Sequence, residues 1–168
     1  EVMDIICDID GTLMDINRRR IYAEEQNKDS KKRMDWDIFL DPKMMKDFDR
    51  PNWDLVNILK KLKKAGDTNI IFTSARNERH REATLFQIAY CGISMGVSNK
   101  YSDKPQGNFL YLRKDGDFRP DDIVKKEIFN KIKEDGFTPD IAFDDRDQVV
   151  KMWREMGIPC YQVREGNF

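Results

Sequence analysis

The chain has 168 residues, of which 39% are hydrophobic and 36% charged. That length suits one domain, 1–168, able to bury about 70% of its unfolded surface, and no apolar run approaches the roughly 20 residues of a bilayer span, so a membrane protein is excluded. Thirty basic against 31 acidic residues leave a net charge of −1, which argues against a protein that coats nucleic acid but not against a local patch that grips it.

In chain order, Glu1 is not an initiator, and Met3 is read as the native start. Ile5, Ile6 and Cys7 form a short buried strand that ends at Asp8. Residues 15–50 are long, polar and charged, with an island of Met34, Trp36, Ile38, Phe39, Leu40, Met44, Met45 and Phe48. Loops longer than roughly 12–15 residues are usually functional or disordered. The segment is therefore either a mobile insertion with a small anchor, or a small cap-like insertion forming one wall of a substrate cleft. Pro51 opens a helix at the tolerated first position, with Leu55, Val56, Ile58, Leu59 and Leu62 as its stripe and Gly66 as its end. Lys60, Lys61, Lys63 and Lys64 take its polar face.

A second strand is expected at 69–72, with His80 in an exposed loop or helix start after it. A helix at 82–90 has Ala83, Phe86, Ile88 and Ala89 inside and stops at Gly92. A loop at 94–108 leads to a third strand at 109–112. Asp121 or Asp122 caps the next helix, with Ile123, Ile128, Phe129 and Ile132 inside. A fourth strand at 141–143, a helix at 148–156 and a fifth strand at 160–163 complete the chain. This alternation is the pattern of an α/β domain with a mostly parallel five-stranded sheet and helices on both faces. Cys7, Cys91 and Cys160 form no C-x-x-C, so free thiols in a reducing, cytoplasmic setting are expected.

Three strands run straight into functional groups: Asp8-Ile9-Asp10-Gly11-Thr12 after the first, Thr73-Ser74-Ala75-Arg76 after the second, and Asp144-Asp145-Arg146 after the fourth. In open parallel sheets the carboxyl ends of the strands form the ligand crevice, so these groups should converge. Two unit charges 4 Å apart repel by about 4 kcal/mol at an effective dielectric of 20. Clustered carboxylates with no His beside them, and with Cys7 read as facing the core, call for a hard cation, Mg²⁺ before zinc. The spacing of Asp8 and Asp10 puts both carboxylates on one side of the strand end, and Gly11 lets the chain turn away.

Asp8-Ile9-Asp10-Gly11-Thr12 resembles the D-x-D-G-T signature of the haloacid dehalogenase (HAD) superfamily of phosphatases, and Ser74, Lys125 and Asp144-Asp145 follow in that superfamily's order. The stretches around Asp121 to Phe129, Ala142 to Val150 and Met152 to Gly157, and the ending from Cys160 to Phe168, are similar to the phosphatase domains of phage polynucleotide kinase-phosphatases. The kinase half has no counterpart, because no G-x-x-x-x-G-K-[ST] is present. The resemblance implies a Rossmann-like HAD fold and an aspartyl-phosphate mechanism, with Asp8 as nucleophile and Asp10 as the acid and base. It implies that Ser74 and Lys125 hold the phosphoryl oxygens, and that Mg²⁺ is bound by Asp8, the Asp10 carbonyl and Asp144 or Asp145. Arg19, Arg76 and Asp121 correspond to the family's substrate-binding residues, the register within Arg18-Arg19-Arg20 being open by one.

The same resemblance implies a nucleic-acid 3′-phosphate end as substrate and a separate kinase or ligase as partner. Basic residues of the two irregular segments, Arg18 to Arg20, Lys31 to Arg33, Lys100 and Lys104, fit a polymer. A phosphatase of free nucleotides or of another small metabolite is the alternative. Receiver domains also combine an acidic pair, an acceptor aspartate, a hydroxyl and a lysine, but there the pair follows the first strand, and here Asp144-Asp145 comes late. Trp36 is the tryptophan to test for base stacking, and Trp53 and Trp153 are read as packing.

Overall fold

The computed structural model describes residues 2–96 and 107–168. Five strands, β1 (Met3–Asp8), β4 (Thr68–Asn77), β5 (Asn108–Arg113), β6 (Pro139–Asp144) and β7 (Cys160–Gln162), form one sheet in the order β5-β4-β1-β6-β7. Every pairing in it is parallel. The chain moves outward from β1 to β4 and β5, then returns to β6 on the other side of β1. The order therefore reverses between β1 and β6, which is where doubly wound sheets open their ligand crevice.

Alternation along the central strands divides the interior in two. Ile5, Cys7, Ile70, Phe72, Leu110 and Leu112 face one layer, built on α4 (Trp53–Ala65) and α5 (Arg81–Tyr90). Ile6, Ile71 and Ala142 face the other, built on α6 (Asp121–Glu134) and α7 (Asp147–Glu155). Cys7, Cys91 and Cys160 are buried free thiols. Among the described residues no helix is long and apolar enough to cross a membrane.

Several details depart from the sequence pattern. Pro51 does not open α4. It pairs in β3 (Arg50–Pro51), antiparallel to β2 (Met14–Asp15). Asn52, the N-cap, donates from its backbone to Leu13 O (2.8 Å) and from its side chain to Thr12 O (2.8 Å), so the helix starts at Trp53. Ile58, Phe86 and Ile123 are exposed although each was expected inside. On α5 the inward face carries Thr84 and Gln87 with Ile88, because those polar side chains serve a buried ion network described below. Asp121 does not cap α6. It occupies the first helical turn, after Pro120. His80 is buried within a 3-10 turn (Glu78–His80) rather than exposed.

Residues 15–50 are structured: α1 (Asn17–Glu25), α2 (Trp36–Phe39) and α3 (Pro42–Phe48) fold back onto the sheet's carboxyl side. Asp35 and Asp41 cap α2 and α3, Asp35 accepting from Asp37 N and Ile38 N and Asp41 from Lys43 N. The described ends of the other irregular segment, 94–96 and 107–108, lie elsewhere. Gly107 N donates to Asn69 Oδ1 (2.8 Å), and Asn108 Nδ2 donates to Ser94 O (2.7 Å), at the amino-terminal end of β4. That edge is opposite the crevice, and Lys100 and Lys104 fall outside the described residues.

Candidate active site

The carboxyl ends of β1 and β6 bring Asp8 and Asp144 side by side, and Lys125 reaches between them from α6. Its ammonium donates to Asp8 Oδ1 (2.6 Å) and Asp144 Oδ2 (2.9 Å). Asp144 Oδ2 also accepts from the indole N–H of Trp153 on α7 (3.2 Å). Thr12 Oγ1 lies 2.9 Å from Asp8 Oδ2 and 3.2 Å from Asp145 Oδ1, tying the first motif to the last. Asp8, Asp144 and Asp145 are all buried, and one oxygen of each lies within 4.8 Å of the others. Burial and the Asp144 charge push the Asp8 carboxyl well above its ordinary range, against the pull of Lys125. Burial, with the Asp144 charge beside it, pushes Asp145 up to about 6. Such a set gains from a bound cation.

Asp10 points into a second cluster. Arg76 on β4 grips it through Nε (3.0 Å) and Nη2 (2.5 Å), and Arg19 on α1 reaches it through Nη2 (2.7 Å). Burial raises the Asp10 pKa, but the two guanidiniums overcome that and hold it well below the usual carboxylate range. Arg19 is fully buried, so of the three consecutive arginines it is the one turned to the site. Behind both arginines sits Asp49, at the end of α3. It accepts from Arg19 Nε (2.9 Å) and Nη2 (3.1 Å), from Arg76 Nη2 (3.4 Å) and from Gln87 Nε2 (3.0 Å). Thr84 Oγ1 takes a further Arg76 N–H at 3.2 Å.

The remaining expected residues are placed as follows. Ser74 is buried on β4, one residue beyond Thr73, the register partner of Asp8. Its Oγ accepts from Arg76 N (3.0 Å), which fixes the chain where the arginine leaves the strand. Asp121, four residues before Lys125 on α6, accepts from Arg113 Nη2 (2.7 Å) and Arg146 Nη1 (2.7 Å) at the rim. Of the expected site residues, the structure joins Asp8, Lys125, Asp144 and Asp145 in one cluster and Asp10, Arg19 and Arg76 in the next.

Two glycines make this packing possible. Gly11 has φ +81°, and a Cβ there would overlap the Asp145 carboxylate. Gly166 passes so close to the turn after β6 that a Cβ would overlap the Asp145 carbonyl and crowd Arg146 Cα, while its own carbonyl accepts from Asp147 N (2.8 Å). These neighbours are backbone and cannot swing aside. Gly166→Ala should lower stability by about 2 kcal/mol, roughly 6 °C in Tm for a domain of this size, and lower activity with it. An unchanged melting curve would show that the tail gives way freely.

Residues 3–168 match the model of the polynucleotide kinase PNKP phosphatase domain, a HAD family. The chain belongs to this family. It is a HAD-type phosphatase domain, and the order of its motifs and the convergence of Asp8, Lys125 and Asp144 agree with that. The same architecture as in the Pnkp1/Rnl/Hen1 RNA repair complex extends over 99% of this chain and 44% of that one, at TM-score 0.71 and 29% identity. A protein of Autographa californica nuclear polyhedrosis virus, assigned as a bifunctional polynucleotide kinase/RNA ligase, is 26% identical over 155 residues, 92% of this chain and 18% of the viral protein. The chain thus spans less than half the length of either relative. A haloacid dehalogenase-like hydrolase from Streptococcus pneumoniae shares the fold alone, at TM-score 0.57 and 12% identity over 96% of this chain and 84% of that one.

Asp49, Thr12, Gln87, Thr84, Trp153 and Gly166 belong to the site's frame without having been singled out for it. Thr12 lies inside the D-x-D-G-T motif, and Trp153 and Gly166 lie inside the family-like stretches near the end of the chain; Asp49, Thr84 and Gln87 carried no signal.

Proposed function

We propose that this domain is a Mg²⁺-dependent phosphomonoesterase that removes 3′-phosphates from nucleic-acid ends through an aspartyl-phosphate on Asp8, in a setting of RNA end repair. The observation that carries the chemistry is Asp8 itself: a buried carboxylate at the switch point of the sheet, held by Lys125 and flanked by Asp10. The family match and the two relatives, one an RNA repair complex and one a kinase/RNA ligase, support the substrate class and a kinase or ligase as partner. We also infer that 15–50 acts as a small cap within one phosphatase domain.

In the first half-reaction an Asp8 oxygen attacks phosphorus in line with the leaving ribose oxygen, and Lys125 and Ser74 hold the transferring oxygens. Asp10 gives a proton to the leaving oxygen, and in the second half-reaction its carboxylate takes one from the attacking water. The ionised form held by Arg19 and Arg76 suits that second step. A phosphate dianion drawn to the same arginines competes with Asp10 for them, and a carboxylate released from two guanidiniums holds a proton more readily. Asp121, through Arg113 and Arg146, shapes the rim that the substrate crosses.

The donor set fits Mg²⁺: three carboxylates, oxygen only, with atoms that converge within 4.8 Å. Asp8, Asp144 and Asp145, with the Asp10 carbonyl, would hold it. Bound there, it would screen the nucleophile from the phosphate charge and stabilise the equatorial oxygens. Saturating Mg²⁺ is expected to raise Tm by about 5 °C. Asp145→Asn should abolish that increment while raising the Tm of the metal-free protein, because one crowded buried charge is gone. Persistence of the full Mg²⁺ increment in Asp145→Asn would remove this residue from the metal site.

The substrate class is tested by competition. A 3′-phosphorylated RNA oligonucleotide should exceed a 3′-mononucleotide in kcat/KM by about tenfold or more, with a steep fall as salt rises. Equal rates with no salt effect would favour a small-metabolite phosphatase instead.

A further inference from the structure

We propose that Trp36 is the platform on which the nucleobase beside the scissile phosphate stacks. This rests on the nucleic-acid reading and adds the residue that senses a base. A helix of four residues cannot hold itself in water, yet α2 is tied down at both ends. Asp35 accepts from Asp37 N and Ile38 N, and its own N–H donates to Ala23 O of α1 (2.9 Å). At the far end, Phe39 O accepts from Arg19 Nη1 (2.6 Å).

Arg19 is the residue whose Nη2 reaches Asp10, and its guanidinium lies 4.6 Å from the Phe39 ring centroid. Trp36 meets Phe39 edge-on, with centroids 5.7 Å apart. Asp10, Arg19, Phe39 and Trp36 thus form an unbroken line from the reacting region to the surface. Trp36 is 44% exposed; Trp53, read as packing, is also exposed, but at the start of α4, whereas Trp153 is fully buried with its N–H bonded to Asp144. A large aromatic surface left in water on so fixed a mount, one ring away from a site arginine, offers a stacking face that every nucleobase can use. A phosphate ester without a ring gains nothing from it.

The test compares a single-stranded 3′-phosphorylated oligonucleotide, a 3′-mononucleotide and ring-free acetyl phosphate. Trp36→Leu keeps apolar bulk over Phe39 but removes the π face. It should raise KM for both base-carrying substrates by about tenfold, leaving kcat and the acetyl phosphate kinetics unchanged, and Trp36→Phe should restore most of the loss. An equal effect on all three substrates, or no effect on any, overturns the proposal. A wild-type enzyme indifferent to chain length, but with Trp36→Leu impaired only on base-carrying substrates, would defeat the polymer reading and keep the stacking one. As a second readout, the fluorescence of an Asp8→Asn, Trp53→Phe protein should be quenched by the 3′-phosphorylated oligonucleotide, and adding Trp36→Leu, with Trp153 present in both proteins, should abolish that quenching. Unaltered emission at saturating oligonucleotide would also overturn it.

Discussion

Asp8→Asn is expected to cut turnover of a 3′-phosphorylated oligonucleotide by about 10⁴-fold or more, the scale seen when a covalent nucleophile is removed. The fold should survive. The amide keeps an oxygen for Lys125 and a partner for Thr12, and it relieves a carboxylate that burial and Asp144 already hold far above its ordinary range. Tm should therefore stay level or rise while activity disappears. That separation marks a residue whose charge serves chemistry at a cost in stability. Turnover within tenfold of wild type in a folded Asp8→Asn protein would remove Asp8 from the nucleophile's role.

Lys125→Met should do the reverse to stability. The ammonium is the shared cation between Asp8 and Asp144, and all three side chains are buried. Removing one member of a buried ion cluster leaves uncompensated charge and typically costs 3–5 kcal/mol, so a loss of about 4 kcal/mol is expected. Activity should fall by about 10³-fold, because a preorganised positive group facing the transferring oxygens is lost. Mg²⁺ should recover part of the stability but little of the rate, since a cation can replace the charge between the carboxylates but not the hydrogen bonds to the phosphoryl group. A Lys125→Met protein with wild-type Tm would mean that the two carboxylates share a proton instead of being held by the lysine.

What was legible in the sequence, and what was not, follows from how far each feature reaches along the chain. Asp8 to Thr12 is a local motif at a strand end, so its place at the crevice could be read directly. All five main strands lie where short apolar runs placed them; the central β1 and β4 are apolar because a parallel strand covered on both faces has to be, whereas the edge strand β7 leaves Tyr161 and Gln162 exposed. The register of Arg19 was open by one, since three adjacent arginines differ only in which side of α1 they occupy. Helix faces misled where function intrudes. Thr84 and Gln87 turn inward to Arg76 and Asp49, so Phe86 on the same helix is left in water. Asp49 acts only through partners distant in sequence, and nothing local sets it apart from a surface acid; Trp153 and Gly166 lie in stretches that resemble the family, but their contacts with Asp144 and with the turn after β6 form only in the fold.

The account turns on a covalent bond between phosphorus and one carboxylate, and that bond can be trapped. Acid quenching during turnover of a 3′-phosphorylated oligonucleotide, followed by borohydride reduction, converts an aspartyl-phosphate to homoserine that peptide mass spectrometry can place. Homoserine is predicted at position 8 and nowhere else, and it should be absent without substrate. Full turnover with an unmodified Asp8, or with homoserine at Asp10, Asp144 or Asp145, would contradict the mechanism.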